Sequence, residues 1–376
     1  MKIKIGILLI LALVPGCKKE KVYDENAYIE AVVAGDIETM QLCLDRGINI
    51  GDSIIYAAEY NSDSLNYLLG RGADPNYTYT LKSLFKDNDS LIGLKYSFPL
   101  ASTWDEPESA KKLIAYGANV NAIVEPNANL LMYYIQLVYA RPDRKNEALA
   151  SVRILLENGA DMYFRGENGL TPLLLALNYN ELRDVVDLLF EFGIEPSAEL
   201  VRIDFNYDPL GFREWDEDYG KVWQSEFLLL AGGGYDDLLM PYIEKGAVSP
   251  DHADPDGWDI YCYAAESGNP YLMMKLLPYL KDPNGKRYDN GYYSGMTLLF
   301  IASMNGNKET AKVLLENGID IDTKATAPDG HLYYAFSSSI KKGDIVSVAV
   351  DFREGKRYPE YRILPEAPAA SNPAGE

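Results

Sequence analysis

The stretch GNKETAKVLLENG at residues 306–318 decides the architecture, because the same frame is written as GDIETMQLCLDRG at 35–47. It starts at a turn glycine, runs through apolar residues at helical spacing, and closes on a second glycine twelve residues on. Ala311, Val313, Leu314 and Leu315 make the apolar stripe, and Lys312 and Glu316 take the wet side. Gly318 ends the helix, where a left-handed conformation costs glycine nothing. With changes at some anchor positions the frame returns at 60–72, 105–117, 147–159, 181–193, 234–246, 268–280 and 343–355, nine times in all.

A second short apolar run precedes many of these frames: TLLFIA at 297–302, TPLLLA at 171–176 and SIIYAA at 53–58. Each unit therefore reads as a turn, a short helix, a tight turn and a longer helix. One such pair cannot bury its apolar face alone. Stacking on its neighbours does, so the expected fold is an all-α solenoid of about nine helix-turn-helix units. The anchors are spaced irregularly, 25 to 53 residues apart. The long gaps imply loop insertions at about 75–97, 195–225 and 281–295.

These residues resemble the ankyrin repeat, whose pattern is roughly DxxGxTPLHxAAxxGxxxxVxxLLxxGAD. ENGLTPLLLALNYNELRDVVDLLFEFG, from Glu167, is the copy most like it, with Thr171-Pro172-Leu173 at the hallmark. Gly72-Ala73-Asp74, Gly117-Ala118-Asn119 and Gly159-Ala160-Asp161 match the closing triplet. Looser copies lie at 254–270 and 329–350. The resemblance covers residues 25–357. It implies concave-side turns and inner helices that bind other proteins. No copy carries the hallmark histidine that ties a turn to its neighbour, so looser turns are expected.

Residues 1–16 read as a signal peptide. Lys2 and Lys4 precede an apolar run at 5–14 that is too short to span a bilayer, and Pro15-Gly16-Cys17 follows. A small residue before cysteine resembles the bacterial lipoprotein signal, although Pro15 and the early Leu13 depart from it. The expectation is lipidation at Cys17, a polar tether over 17–24, and export to the membrane-anchored side of a bacterial envelope. Residues 358–376 form a C-terminal tail outside the repeats. Cys43 and Cys262 fall in the first and seventh units, several tens of ångströms apart for helices stacked about 8–10 Å from one another. A disulfide needs Cα atoms within about 7 Å, so both are read as small buried hydrophobes.

Charge narrows the partners. With 35 basic and 56 acidic residues the net charge is −21. Nucleic acid needs cations facing phosphates and is excluded. A basic protein partner is favoured electrostatically, the membrane is contacted only through the lipid anchor, and the expected state is a monomer. The chain holds 29 tyrosines against 11 phenylalanines, a ratio that suits half-exposed rings. The candidate binding residues are Tyr60, Trp104 and Tyr179 at junctions between paired helices. Phe205, Tyr207, Phe212, Trp215, Tyr219 and Trp223 join them in the acidic 195–225 insertion, with Tyr292 and Tyr293 in the last. Tyr56, Tyr263 and Tyr334 fall at repeat-core positions and are expected to be structural.

Catalytic chemistry finds no set of residues. His252 and His331 are the two histidines and lie in different units, which excludes a Ser-His-Asp arrangement from the sequence. No zinc signature occurs, and Gly232-Gly233-Gly234 lacks the Lys-Ser/Thr of a phosphate loop. Asp251, Asp254, Asp256 and Asp259 raise calcium. In the EF-hand register, however, Gly257 at the sixth position puts His252 first and Tyr263 last, where acids are required. No metal, cofactor or catalytic residue is assigned, and the chain is read as a non-enzyme. The function expected is non-catalytic protein binding at a bacterial envelope. The alternatives are an inhibitor or immunity-type protein that sequesters one basic or toxic partner, and, more remotely, an enzyme with carboxylates in the 195–225 insertion.

Overall fold

The computed structural model describes residues 23–51, 53–78, 99–125, 128–203, 222–285 and 296–320, and the backbone of strands at 324–326, 332–334, 336–341 and 344–349. The signal segment, Cys17, most of the tether and the tail at 358–376 lie outside the described residues. So do 79–97, 204–221 and 286–295 within the three insertions.

Two helices, α1 (Glu25–Ala34) and α2 (Ile37–Asp45), form the first unit, and α3 (Ser53–Tyr60) and α4 (Ser62–Gly70) the second. In the third, a 3-10 helix at Leu100–Thr103 precedes α5 (Pro107–Ala115). The later pairs are α6 (Leu130–Ala140) with α7 (Lys145–Glu157), and α8 (Pro172–Leu177) with α9 (Arg183–Glu191). They continue with α10 (Glu226–Gly232) and α11 (Asp236–Glu244), α12 (Ile260–Ser267) and α13 (Pro270–Leu276), then α14 (Leu298–Met304) and α15 (Lys308–Glu316). Each substantial helix contact lies within a unit or between adjacent units, as a solenoid requires.

The local causes repeat from unit to unit. Short polar side chains cap the first helices: Asp24, Asn129, Thr171, Ser225, Asp259 and Thr297 each accept a backbone N–H from three residues on. A cap of this kind contributes about 1 kcal/mol. All the second helices except α13 are followed by glycines in the left-handed region, such as Gly159 at φ 81° and Gly318 at φ 87°. The third unit's first helix is only a 3-10 turn because its hydroxyls compete with the backbone ladder. Ser102 Oγ donates to the Pro99 carbonyl at 2.7 Å and Thr103 Oγ1 to that of Leu100 at 2.8 Å.

One hydrophobic core runs through the stack from Tyr28 to Ile319. The apolar stripes of the second helices supply one wall, with Leu65 and Leu68, Leu113, Val152 and Leu155, Val185 and Leu189, Leu272 and Leu276, and Leu314 all fully buried. Cys43 and Cys262 are buried free thiols, in keeping with their reading as small hydrophobes. Outside the core, exposed ion pairs cross between successive units: Arg71–Asp45 at 3.5 Å, Arg153–Glu191 at 2.6 Å, Arg183–Asp237 at 2.5 Å and Lys275–Asp236 at 2.6 Å.

The ninth frame is the correction. The described part of this frame, residues 344–349, is a strand rather than a helix. Strands β5 (Lys324–Thr326) and β6 (Leu332–Tyr334) pair antiparallel, and β7 (Phe336–Lys341) pairs with β8 (Asp344–Ala349). Strand β8 lies against α14 and α15. A hairpin thus covers the end of the helical stack, which would otherwise expose an apolar face. The sequence IVSVAV there alternates Val with Ser and Ala and is rich in β-branched residues, which suits a strand better than a helix.

The turns are tied without the hallmark histidine. Asn76 Nδ2 donates to the Gly117 carbonyl at 2.9 Å, and Asn76 Oδ1 accepts from Asn119 N at 2.8 Å. Asn121 does the same to Gly159 and Asp161, at 3.1 and 2.7 Å, and Asn284 Oδ1 accepts from Asp320 N at 2.8 Å. Each asparagine sits four residues after the anchor that closes its frame, a spacing visible in the sequence.

Candidate partner-binding surface

The line of inter-helix junctions is the first candidate surface, since it collects one exposed position from every unit. Tyr60 ends α3 and is 53% exposed; Val33, near the end of α1, is 40% exposed. Trp104 follows the 3-10 turn and is half-buried, with the Arg141 guanidinium 5.5 Å from its ring centre. Tyr179 follows α8 and packs against Tyr139 with ring centres 4.2 Å apart and planes tilted by 41°. The second to fifth units therefore present aromatic rings at their junctions. Tyr139 and Arg141 were not singled out by sequence reasoning.

A length mismatch explains why they meet. The α6 helix has 11 residues and α7 has 13, whereas α8 has six and α9 has nine. The α6 sequence is apolar nearly all round and buried over Leu130–Val138. Inside it, Tyr134 donates to the Leu100 carbonyl and shares a 3.0 Å hydrogen bond with Thr103 Oγ1. Its last turn overhangs the shorter unit beside it. The overhang leaves a cleft of about 490 Å³ lined by Val138, Tyr139, Ala140, Pro142, Lys145 and Glu181.

The charged residues that follow α6 are internally paired. Arg144 reaches Asp105 at 3.3 Å, Glu147 at 3.4 Å and Glu106 at 3.7 Å. Arg141 pairs with Asp143 at 3.2 Å, and Lys145 with Asp184 at 2.7 Å. The Arg141 hydrogen bond holds the Asp143 carboxyl below its ordinary range. At the cleft itself Lys145 meets two carboxylates, Glu181 in the lining and Asp184 as its ion-pair partner.

Beside this line, the stem of the large insertion pairs β3 (Val201–Ile203) with β4 (Val222–Gln224). Val201 and Ile203 pack with Leu174 of α8. The Gln224 and Asn178 amides exchange hydrogen bonds at 3.1 Å, one residue before Tyr179. Trp223 faces the other way and is 37% exposed. At the base, Glu226 is buried; it accepts from Thr171 Oγ1 and from Ser197 N, both at 2.7 Å. Burial raises its pKa, and the two hydrogen bonds offset part of that rise. Phe205, Tyr207, Phe212, Trp215, Tyr219, Tyr292 and Tyr293 lie outside the described residues. A shorter hairpin, β1 (Ile123–Glu125) with β2 (Ala128–Asn129), precedes α6.

Two other groups have structural work. His252 Nε2 is 2.9 Å from Ser225 Oγ, a pairing across neighbouring units that sequence reasoning missed. Ser225 is fully buried and caps α10, so its hydroxyl is out of a substrate's reach. Burial lowers the His252 pKa, against a pull upward from Asp254. Among the acids at 251–259, Asp254 Oδ1 accepts from the backbone of Asp256 and Trp258, and Asp259 caps α12. They shape a turn. Among the described residues, no three His, Cys, Asp or Glu side chains gather as metal ligands would, and no helix is long and apolar enough to cross a membrane.

Comparison with known proteins adds the following. Residues 227–325 match the family model for ankyrin repeats, in three copies. Over 221 residues the chain is 26% identical to a protein of Lachancea kluyveri named palmitoyltransferase AKR1, covering 57% of this chain and 27% of that protein. Over 151 residues it is 31% identical to putative ankyrin repeat protein L91 of Acanthamoeba polyphaga mimivirus, covering 37% of this chain and 21% of that protein. The chain thus spans about a quarter of the length of the curated relatives it matches. Among solved structures, the human ASB11 ankyrin repeat domain aligns with a TM-score of 0.41 at 19% identity, covering 63% of this chain and 90% of that one.

Proposed function

The chain is an ankyrin-repeat protein, and on that premise we propose that it is a non-catalytic binding protein that holds another protein along its inter-helix junctions. Ankyrin repeats generally mediate protein–protein interaction. The observation that carries the reading is the aromatic run Tyr60, Trp104, Tyr139 and Tyr179, placed at the junctions of four successive units and left partly exposed. Large rigid rings among polar groups suit a contact surface, because they bring area at low entropy cost. The pairing of His252 with a buried cap serine supports the non-catalytic part. The acidic balance of the chain favours a basic partner. The leader-like start and Cys17 support export and lipid anchoring at a bacterial envelope.

The test is cross-linking in an envelope extract, comparing the wild type with a variant carrying Tyr60→Ala, Trp104→Ala and Tyr179→Ala. A protein joined to the wild type and lost from a variant that is still folded supports the reading. An unchanged set of cross-linked proteins refutes it. Anchoring is tested separately by Cys17→Ala, which should abolish lipid labelling and release the chain from membranes, since stable attachment needs several acyl chains. Full membrane retention of that variant would refute the anchor.

A further inference from the structure

We infer that the cleft between the fourth and fifth units receives one bulky apolar side chain from the partner, and that this anchor is flanked in the partner's sequence by lysine or arginine. The inference rests on the protein-binding reading above and names its focal point. Three observations carry it: volume, apolar lining and charge.

The cleft measures about 490 Å³, enough for a leucine or an aromatic ring and the backbone that carries it, and small beside a whole interface. Its floor is apolar, made by Val138, Tyr139, Ala140 and Pro142. It also has firm walls. Tyr139 packs against Tyr179, and Lys145 is fixed between the Asp184 carboxylate at 2.7 Å and the Glu181 carbonyl at 3.2 Å. An apolar pocket that is already formed costs little to order on binding, the condition for a hot spot.

Charge selects among apolar anchors. The one cation among the lining residues, Lys145, is engaged by the Asp184 carboxylate, and the Glu181 carboxylate stands in excess of it. A segment bearing Asp or Glu beside its anchor would meet that excess at close range and be repelled. One bearing Lys or Arg would be drawn in, with faster association at low salt.

The test uses the full chain and a random-peptide phage library, with selected peptides then made synthetically and titrated by fluorescence anisotropy. Three variants accompany the wild type. Ala140→Trp fills the cleft from the end of α6; a Glu181→Lys, Asp184→Lys pair reverses the charge at the cleft; Tyr271→Ala alters an exposed tyrosine on α13 and serves as control. Selected peptides should share a bulky apolar residue next to Lys or Arg. They should bind Ala140→Trp roughly tenfold more weakly or worse, as for loss of a hot spot. They should lose salt dependence on the charge-reversed pair and bind Tyr271→Ala normally. If Ala140→Trp fails to fold, the charge-reversed pair still decides. Peptides that bind the filled variant at full strength overturn the cleft assignment and leave the wider reading standing if Trp104→Ala weakens them. Acidic flanks among the winners overturn the charge argument. Failure to select any peptide overturns the anchor, while the cross-linking experiment decides the wider reading on its own.

Discussion

The middle of the stack and its C-terminal half use one backbone plan for different ends. In the sixth to eighth units the junctions are built from small and polar residues that stitch neighbours together. Asn269 Nδ2 donates to the Gly234 carbonyl at 2.7 Å, and Asn307 Nδ2 to those of Ala265 and Glu266 at 2.9 and 2.7 Å. The units come so close that a Cβ at Gly268 would stand 2.6 Å from Asn307 Oδ1. In the third to fifth units no asparagine holds that place. Arg144 and Lys145 make the cross-unit links instead, and the junctions carry Trp104, Tyr139 and Tyr179. Asparagine stitching thus marks the later junctions and displayed rings the middle ones, and on the proposed function stability and recognition occupy different parts of one solenoid.

If that division is right, core truncation should cost both halves alike. Leu155→Ala in the fourth unit and Leu314→Ala in the eighth remove fully buried leucines and should each cost about 2–5 kcal/mol of unfolding free energy. Urea titration followed by circular dichroism checks this, and a much smaller cost at Leu155 would mean that the middle units are loosely packed.

Junction substitutions should separate stitching residues from displayed rings. Asn307→Ala strips two neighbouring carbonyls of their donor and should cost about 1–2 kcal/mol. Tyr60→Ala removes a half-exposed ring and should cost under about 0.5 kcal/mol. Equal losses at both positions would dissolve the distinction.

A smaller effect concerns pH. Burial raises the pKa of Glu226, so the folded chain holds that proton more tightly than the unfolded chain does. Its contribution is fully present below the ordinary carboxylate value and fades as pH rises through that value to the raised one. Measured against Glu226→Gln, the wild type should gain thermal stability as pH falls from neutral toward that ordinary value. A difference between the two that does not change with pH would place the carboxyl in solvent rather than under the stem of the insertion.

The smallest effect belongs to the outer ion pairs. Arg153→Ala breaks the bridge to Glu191, both exposed, and should cost under about 1 kcal/mol, less still in high salt.

Much of the fold is legible in the sequence because its causes are local. A glycine twelve residues after its partner, a short polar cap and an apolar stripe each act within one unit, and eight of the nine frames close as helices. The frame at 343–355 fails because glycine spacing was weighed above the alternating valines inside it. The asparagine ties were also within reach, from Asn76, Asn121 and Asn284 at one fixed offset. The surface is less legible. Tyr60, Trp104 and Tyr179 follow from the frame, since it fixes where each junction falls. Tyr139 pairs with a ring forty residues on, and the cleft exists because α6 is longer than α8. Both depend on the fit between units, which no single frame records.

The most direct measurement is hydrogen–deuterium exchange of the full chain with and without its cross-linked partner or a selected peptide. Amides at 138–145 and 177–184 should gain protection on binding, while those at 266–269 and 304–308 should stay unchanged. Protection confined to the second pair of segments, or to the Trp223 stem, would contradict a recognition surface centred on the middle units.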